Sequence, residues 1–523
     1  LPENAMRHRP HTTQNFLVRK PYVGRAIGGA ISGQARAAMG ASADALQNGG
    51  NAIDAAVVAA FALAGVEPWN SGLGGVGFMM VRLAATGKTH VVDFGPQAPA
   101  ALDPGHFPLT GRQAAGLFGW PEVVGDRNMH GPLSVAIPGQ VAGLALALET
   151  FGTLDWETAL EPAARLADRG LPLDFWTTLK IANAAGDIRR YPSAAEIYLR
   201  DGLPPSTETG QGTPFLPMGE LAATLRRLQL KGARDFYEGA LATDIADELQ
   251  GFGGVMTKAD LAGYRARIVE PTLFGYRGAE VAAGPVGTAG PTLARFLELL
   301  QPQLFRPFGV DAASFVAYAE ALRQAYAERL AGNPAATSTT HLNVVDRHGN
   351  MVALTQTLLS TFGSKLVLPR TGILLNNGIM WFDPRAGRPN SMAPGKRPLT
   401  NMCPTIVSRD GKAWFALGAS GGRRILPAVA QLLSFVIDHG MSLEAAFHTP
   451  RIDASGNPHV DYDPRLPLDA VRALSDRYEM RASEATIYPT NYACPSAVMI
   501  DPSTGARTGM ADVMTPWATA IAL

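Results

Sequence analysis

The residues best suited to do chemistry in this sequence lie in one run, Ser338-Thr339-Thr340-His341-Leu342-Asn343-Val344-Val345-Asp346. A threonine hydroxyl holds its proton too tightly at pH 7 to attack unaided, so a base must sit beside it. Scission between Ser338 and Thr339 would create that base on the same residue. The freed α-amine of Thr339 has a reference pKa of about 7.7–8.0 and takes the Oγ proton directly or through one water. A threonine served by its own N-terminal amine needs neither a separate histidine nor a metal. Taken alone, the Thr339-Thr340 pair has a plainer explanation: two β-branched residues packing at the start of a strand.

Two other motifs compete for attention. Gly72 to Gly77 fits GxGxxG, but a dinucleotide fingerprint follows a strand and opens a helix. Here a helical pattern precedes it and the strand-like FMMV follows, so a tight structural turn is expected. Gly418-Ala419-Ser420-Gly421-Gly422 fits GxSxG between a strand-like and a helix-like segment, the setting of a serine nucleophile. Its acid and base would be Asp438 or Glu444 with His448 or His459, in the roughly 100 residues that remain.

The surrounding pattern must position these groups. Residues 31–66 read as Ala-rich helix split by Gly49-Gly50, and 70–77 as a Gly-rich turn. FMMVRLA and THVVDF read as paired strands, 135–250 as mainly helical, and 313–330 as a helix. LNVVDRHGNMVALTQTL, PTIVSRDGKAWFALG and SAVMIDPSTGARTGMAD read as hairpins and KLVLP as a strand; helices are expected at 424–439 and 468–478. A helix-rich first part thus meets a strand-rich last part, which suggests stacked sheets between helical layers.

Composition narrows the classes. The chain has 523 residues, 46% hydrophobic and 17% charged, enough to bury a large core. Forty-five Lys+Arg balance 45 Asp+Glu, which argues against a nucleic-acid or polybasic membrane-surface binder. Cys403 and Cys494 cannot build a disulfide framework and read as small buried hydrophobes. Ten scattered histidines show no ligand spacing, so neither metal nor cofactor is expected. The longest apolar stretch, residues 52–66, is too short to span a membrane and carries Asp54. The polar N-terminus has no signal-peptide core, so a cytoplasmic location is expected, or a periplasmic one if a leader was removed.

Longer segments carry a resemblance. GGNAIDAAVVAAFALAGVEPWNSGLGGVGFMMV (49–81), IPGQVAGL (137–144), GGVMTKADLAGYRARIVEP (253–271), TTHLNVVDRHGN (339–350), FGSKLVLPRTGILLNN (362–377), KRPLTNMCPT (396–405) and GASGG (418–422) occur in one order over nearly the whole chain. In these the sequence resembles the γ-glutamyltransferase (γ-glutamyl transpeptidase) family of N-terminal-nucleophile hydrolases. The resemblance implies an α+β, four-layer αββα sandwich. It implies self-cleavage between Ser338 and Thr339 into a large, helix-rich subunit 1–338 and a small, strand-rich subunit 339–523. Thr339 matches the nucleophile, Thr357 the hydroxyl that bonds to it, and Gly421 and Gly422 the oxyanion hole. Glycines suit that last role because the backbone must come close to the substrate.

The departures fall on substrate contacts. Where the family has an Arg that clamps the α-carboxylate of the glutamyl group, this sequence has Gly95. Leu359 stands for an Asn, Gly378 for a Gln, Trp381 for the acid that grips the α-amine, and Thr400-Asn401 for a Ser pair. Losing one partner of a buried charge pair typically costs about 2–5 kcal/mol. The expectation is an amidohydrolase with intact cleavage chemistry and a changed, more apolar acyl pocket, its substrate a small amide or peptide. Arg397 or Arg423 could replace the missing clamp, and Trp381 could instead be core. The alternatives are γ-glutamyl transfer or glutathione hydrolysis in a rebuilt pocket, a serine hydrolase using Ser420, and a non-catalytic binding relative.

Overall fold

The computed structural model describes residues 26–113, 120–205, 215–332, 339–456, 458–483 and 492–523; the polar N-terminal stretch and Ser338 lie outside them. Thirteen strands make the two large sheets. They are β1 (Gly29–Gly33), β2 (Val76–Arg82), β3 (Thr89–Phe94), β4 (Arg267–Val269), β5 (Thr272–Tyr276), β6 (Ala279–Ala283), β7 (Thr340–Asp346), β8 (Met351–Thr357), β9 (Thr405–Arg409), β10 (Lys412–Ser420), β11 (Cys494–Ile500), β12 (Arg507–Ala511) and β13 (Thr519–Ala522). One sheet runs β13-β1-β7-β8-β2-β3-β4 and the other β12-β11-β10-β9-β6-β5. Neighbouring strands pair antiparallel throughout.

Successive side chains of a strand point to opposite faces, and both faces of β7 and β8 are covered. Leu342, Val344, Val352 and Leu354 join a core with the helices α1 (Arg36–Gln47), α2 (Ala52–Val66) and α3 (Gln140–Phe151). Val345, Met351 and Ala353 instead meet Ala282, Ile406, Ala416 and Val498 of the other sheet. The outer face of that second sheet is covered by α5 (Gly290–Leu300), α6 (Ala312–Gly332) and α7 (Ile425–Ile437). The result is the expected αββα sandwich.

Helix α2 is buried along its whole length, which explains its apolar character all round. Asn51 and Asp54 close a capping box at its start, and Asp54 also accepts from Thr153 and Leu154. No described helix is long and apolar enough to cross a membrane. The β7–β8 hairpin is locked by Asp346, which accepts from the backbone of His348 and Asn350 and from Ala52 at the head of α2.

One expectation needs correction. Residues 29–33 are strand, and α1 begins only at Arg36. GAISG has a single strong β-former, Ile31, among small residues; it is a strand because β7 and β13 pair with it on both sides. The part before residue 339 carries most of the helices, but the two parts are interleaved in the sheets. Strands β1 to β6 precede residue 339, and each sheet takes strands from both sides of it.

Candidate active site

The register of β7 and β8 brings the two threonines together. Thr340 pairs with Gln356, so Thr339, one residue earlier, lies across from Thr357. By alternation both sit on the face toward the second sheet, and both are buried. The Thr357 hydroxyl accepts from Leu359 N at 2.7 Å.

The second sheet approaches over the same strand. His341 lies against Gly418 of β10, where a Cβ would fall 2.2 Å from the imidazole Cε1, so only glycine fits under the ring. Three residues further on, Gly421 has φ +136°, and a Cβ there would meet Ala493 Cα at 2.7 Å. Gly422 opens the turn that leads into α7. Neither glycine N–H donates to a described residue, which suits both to receive an oxyanion at a helix entrance.

His341 was not singled out by the sequence. Burial drives its imidazole down to about 4, so it is neutral, and its nitrogens face Thr355 Oγ1 at 2.8 Å and Asn343 Oδ1 at 3.0 Å. It is a structural brace between the sheets. Glu67 was missed as well. It is buried behind β7, where Thr340 Oγ1 donates to it at 2.6 Å.

The substrate-contact candidates gather around Leu359, Met380, Trp381 and Met402, which share the inter-sheet core with Phe78. Gly95 cannot simply regain a side chain: a Cβ there would lie 2.7 Å from Phe78 Cζ. Leu359 is fully buried with φ +88°, a strained backbone for a branched residue. Gly378 opens a short turn ending at Trp381, and its N–H is held by Asn376 Oδ1 at 2.8 Å. The neighbouring Asn377 ties that turn to Ser360 through both ends of its amide. Lys365, buried at φ +60°, closes the same loop by donating to Ser360 Oγ and Gly363 O, each at 3.0 Å. Burial lowers its ammonium to about 8.

Three of these candidates carry buried polar atoms without a hydrogen-bond partner among the described residues: Trp381 Nε1, Thr400 Oγ1 and Asn401 Nδ2. Asn390 bridges Trp381 O and Leu399 N, so the two segments adjoin. Arg329 of α6 fixes the second segment through Thr400 O at 2.7 Å and Asn401 Oδ1 at 3.1 Å. That guanidinium is half-buried and forms no ion pair with a described carboxylate. Native interiors leave few polar groups unpaired, so these atoms are candidates to meet a ligand.

The replacement clamp is not available at Arg397. Its NH1 is bound to Asp93 Oδ1 at 2.9 Å, and Arg267 holds the other oxygen at 2.6 Å. Arg423 is anchored by its carbonyl, which accepts from Tyr326. The serine-hydrolase triad is not assembled among the described residues. Asp438 binds Tyr276, Ser434 and Arg277, His448 turns to Glu444 O, and His459 lies beside Asp461. None bonds to Ser420. The GxGxxG run is a turn, with Gly75 O accepting from Gly139 and Gln140 at the head of α3. Both cysteines are buried and not in a disulfide, and no described cluster could hold a metal.

The family model for gamma-glutamyltranspeptidase matches residues 38–336 and 330–520. This chain belongs to the γ-glutamyltranspeptidase family. The acylase ACY 1 proenzyme of Pseudomonas sp. (strain SE83) is 33% identical over 484 residues, covering 84% of this chain and 85% of that protein. The glutathione hydrolase proenzyme of Bacillus subtilis (strain 168) is 30% identical over 532 residues, covering 90% and 87%. The fold matches a cephalosporin acylase from Bacillus halodurans with TM-score 0.85 at 23% identity, over 98% of this chain and 99% of that one. The γ-glutamyltranspeptidase-family chain is therefore an enzyme of the N-terminal-nucleophile amidohydrolase class.

Proposed function

We propose that the chain cuts itself before Thr339 and then hydrolyses an amide through a Thr339 acyl-enzyme, with an acyl group other than standard γ-glutamyl. The observation that carries the first part is the register that sets Thr339 across from Thr357 on the face turned to the second sheet. The fragments, 1–338 and 339–523, stay associated because both sheets interleave strands from each.

In the reaction, the Thr339 amine takes the Oγ proton as Oγ attacks the amide carbonyl. The N–H groups of Gly421 and Gly422 receive the oxyanion, and the Thr357 hydroxyl orients Thr339 Oγ. Collapse breaks the C–N bond, and the proton held on the Thr339 amine passes to the leaving nitrogen. Water, deprotonated by the same amine, attacks the ester, releasing the acid and restoring Thr339.

The residues around Leu359 and Trp381 support the second part. A glutamyl zwitterion needs a cation for its carboxylate and an anion for its amine. Phe78 fills the space beside Gly95, Arg397 and Arg267 are committed to Asp93, and Trp381 stands where an acid is needed. What the pocket offers is apolar surface at Leu359 and Met380 with donors at Trp381, Thr400 and Asn401. An acyl chain bearing acceptors and no ammonium suits that lining.

Two measurements test this. Intact mass of active enzyme should give two fragments that meet between Ser338 and Thr339. Turnover on a γ-glutamyl anilide and on amine-free acyl anilides should favour the latter. A γ-glutamyl preference above about 100-fold, roughly 2.7 kcal/mol, would restore glutathione hydrolysis as the activity.

A further inference from the structure

Behind the catalytic strands, on the face turned away from the second sheet, one carboxyl group touches the supports of both threonines. Glu67 caps the C-terminal end of α2. Its Oε2 accepts from Thr340 Oγ1 at 2.6 Å, and Thr340 is the residue next to Thr339. Its Oε1 accepts from Asn70 Nδ2 at 3.0 Å, and Asn70 O in turn accepts from Leu358 N at 2.7 Å, next to Thr357. The turn itself is tied back by Asn70 N and Ser71 N, which both donate to Glu67 O. One side chain thus spans the ends of β7 and β8.

We propose that Glu67 is a positioning residue that holds Thr339 and Thr357 in register from behind the sheet, for self-cleavage and for turnover alike. This rests on Thr339 being the nucleophile. Glu67 touches neither substrate nor the reacting atoms; it acts through Thr340 and through Asn70.

The tether is sensitive to ionisation. Both oxygens act as acceptors, the arrangement that suits a carboxylate, while complete burial favours the neutral acid and raises the group to about 7. The charged group that faces it is Lys180 of the helix α4 (Phe175–Ile188), whose attraction opposes the rise; Thr340, Asn70 and Trp69 are neutral. As pH climbs through about 7 the carboxylate forms and grips both donors harder, so the rates should climb too.

Self-cleavage isolates this effect, because the Thr339 α-amine, which also titrates near neutrality, does not exist before the cut. Precursor made by cell-free synthesis is followed on denaturing gels from about pH 5.5 to about pH 8.5. Wild type should show a limb rising near pH 7. Glu67→Gln, always neutral, and Thr340→Val, which removes the donor, should each lose that limb. Glu67→Ala should slow both self-cleavage and kcat by about tenfold, with KM changed less than about threefold. The inference is overturned if Glu67→Gln and Thr340→Val keep the limb in place with rates within about twofold of wild type. If wild type itself yields no fragment beginning at Thr339, it is the proposed function that falls.

Discussion

The ends of the paired strands and the proposed acyl site adjoin at residues 357–359, yet they are built on opposite rules. At the strand ends the buried polar groups answer one another: Thr340 is bound to Glu67, His341 to Thr355 and Asn343, and Asn343 also to Ser496. In the pocket, Trp381, Thr400 and Asn401 each keep a buried polar atom unpartnered, and Leu359 holds a strained backbone. A satisfied network fixes one geometry, as bond-breaking requires. An unsatisfied one stores a demand that a ligand can meet. Under the proposed function, the contrast separates the cleavage chemistry, kept as in the family, from acyl recognition, which is changed.

Removing the proposed nucleophile should give the largest effect. Thr339→Ala should abolish self-cleavage and lower kcat by about 10⁴-fold or more, read by intact mass and anilide hydrolysis. Ser420→Ala, at the end of β10, should leave processing largely intact; the opposite pattern would revive the serine reading. Next comes the oxyanion site. Gly421→Ala forces a Cβ onto Ala493 at a backbone angle that side chains avoid, so kcat should fall by about 10²–10³-fold with the cut still made before Thr339 where maturation is not itself blocked.

A stability measurement sharpens the comparison from behind the sheet. Glu67 moves from an ordinary value of 4.5 to about 7 on burial. Between those values the folded protein keeps a proton that the unfolded chain has released. The group's stabilising contribution is therefore full below about pH 4.5 and is lost as pH rises to about 7, by about 3 kcal/mol. Glu67→Gln should flatten that dependence in thermal denaturation monitored across the window. An unchanged slope would show that Glu67 is not the group responsible.

Much of this arrangement was legible in the sequence because local signals agreed with the fold. Gly49-Gly50 splits the Ala-rich run into two helices, and the Asp-Gly-Asn turn at 346–350 makes the expected hairpin, whose register the structure then supplies. What escaped has a common cause: it depends on partners distant in the chain. GAISG is a strand only because β7 and β13 pair with it, and β4 to β6 and β13 are short strands whose place is fixed by their neighbours. Glu67 and Thr340 lie 273 positions apart. Arg397 could be offered as a substrate clamp only while its bond to Asp93, 304 positions away, was unseen.

The smallest change addresses the pocket itself. Trp381 Nε1 is buried without an acceptor, which costs a folded protein about 1–3 kcal/mol. Trp381→Phe deletes that N–H along with part of the ring. Loss of an unpaired donor should offset much of the lost packing, so the melting temperature should change little. If the indole N–H serves a substrate acceptor, kcat/KM for the preferred acyl group should nevertheless fall by about tenfold, the scale of one buried hydrogen bond. An acyl group lacking that acceptor should show no such loss. Activity and stability would then part company at a single atom, which no packing role for Trp381 produces. If instead both fall together for every acyl group, the indole is core, and the unpartnered donors at Thr400 and Asn401 alone mark the substrate.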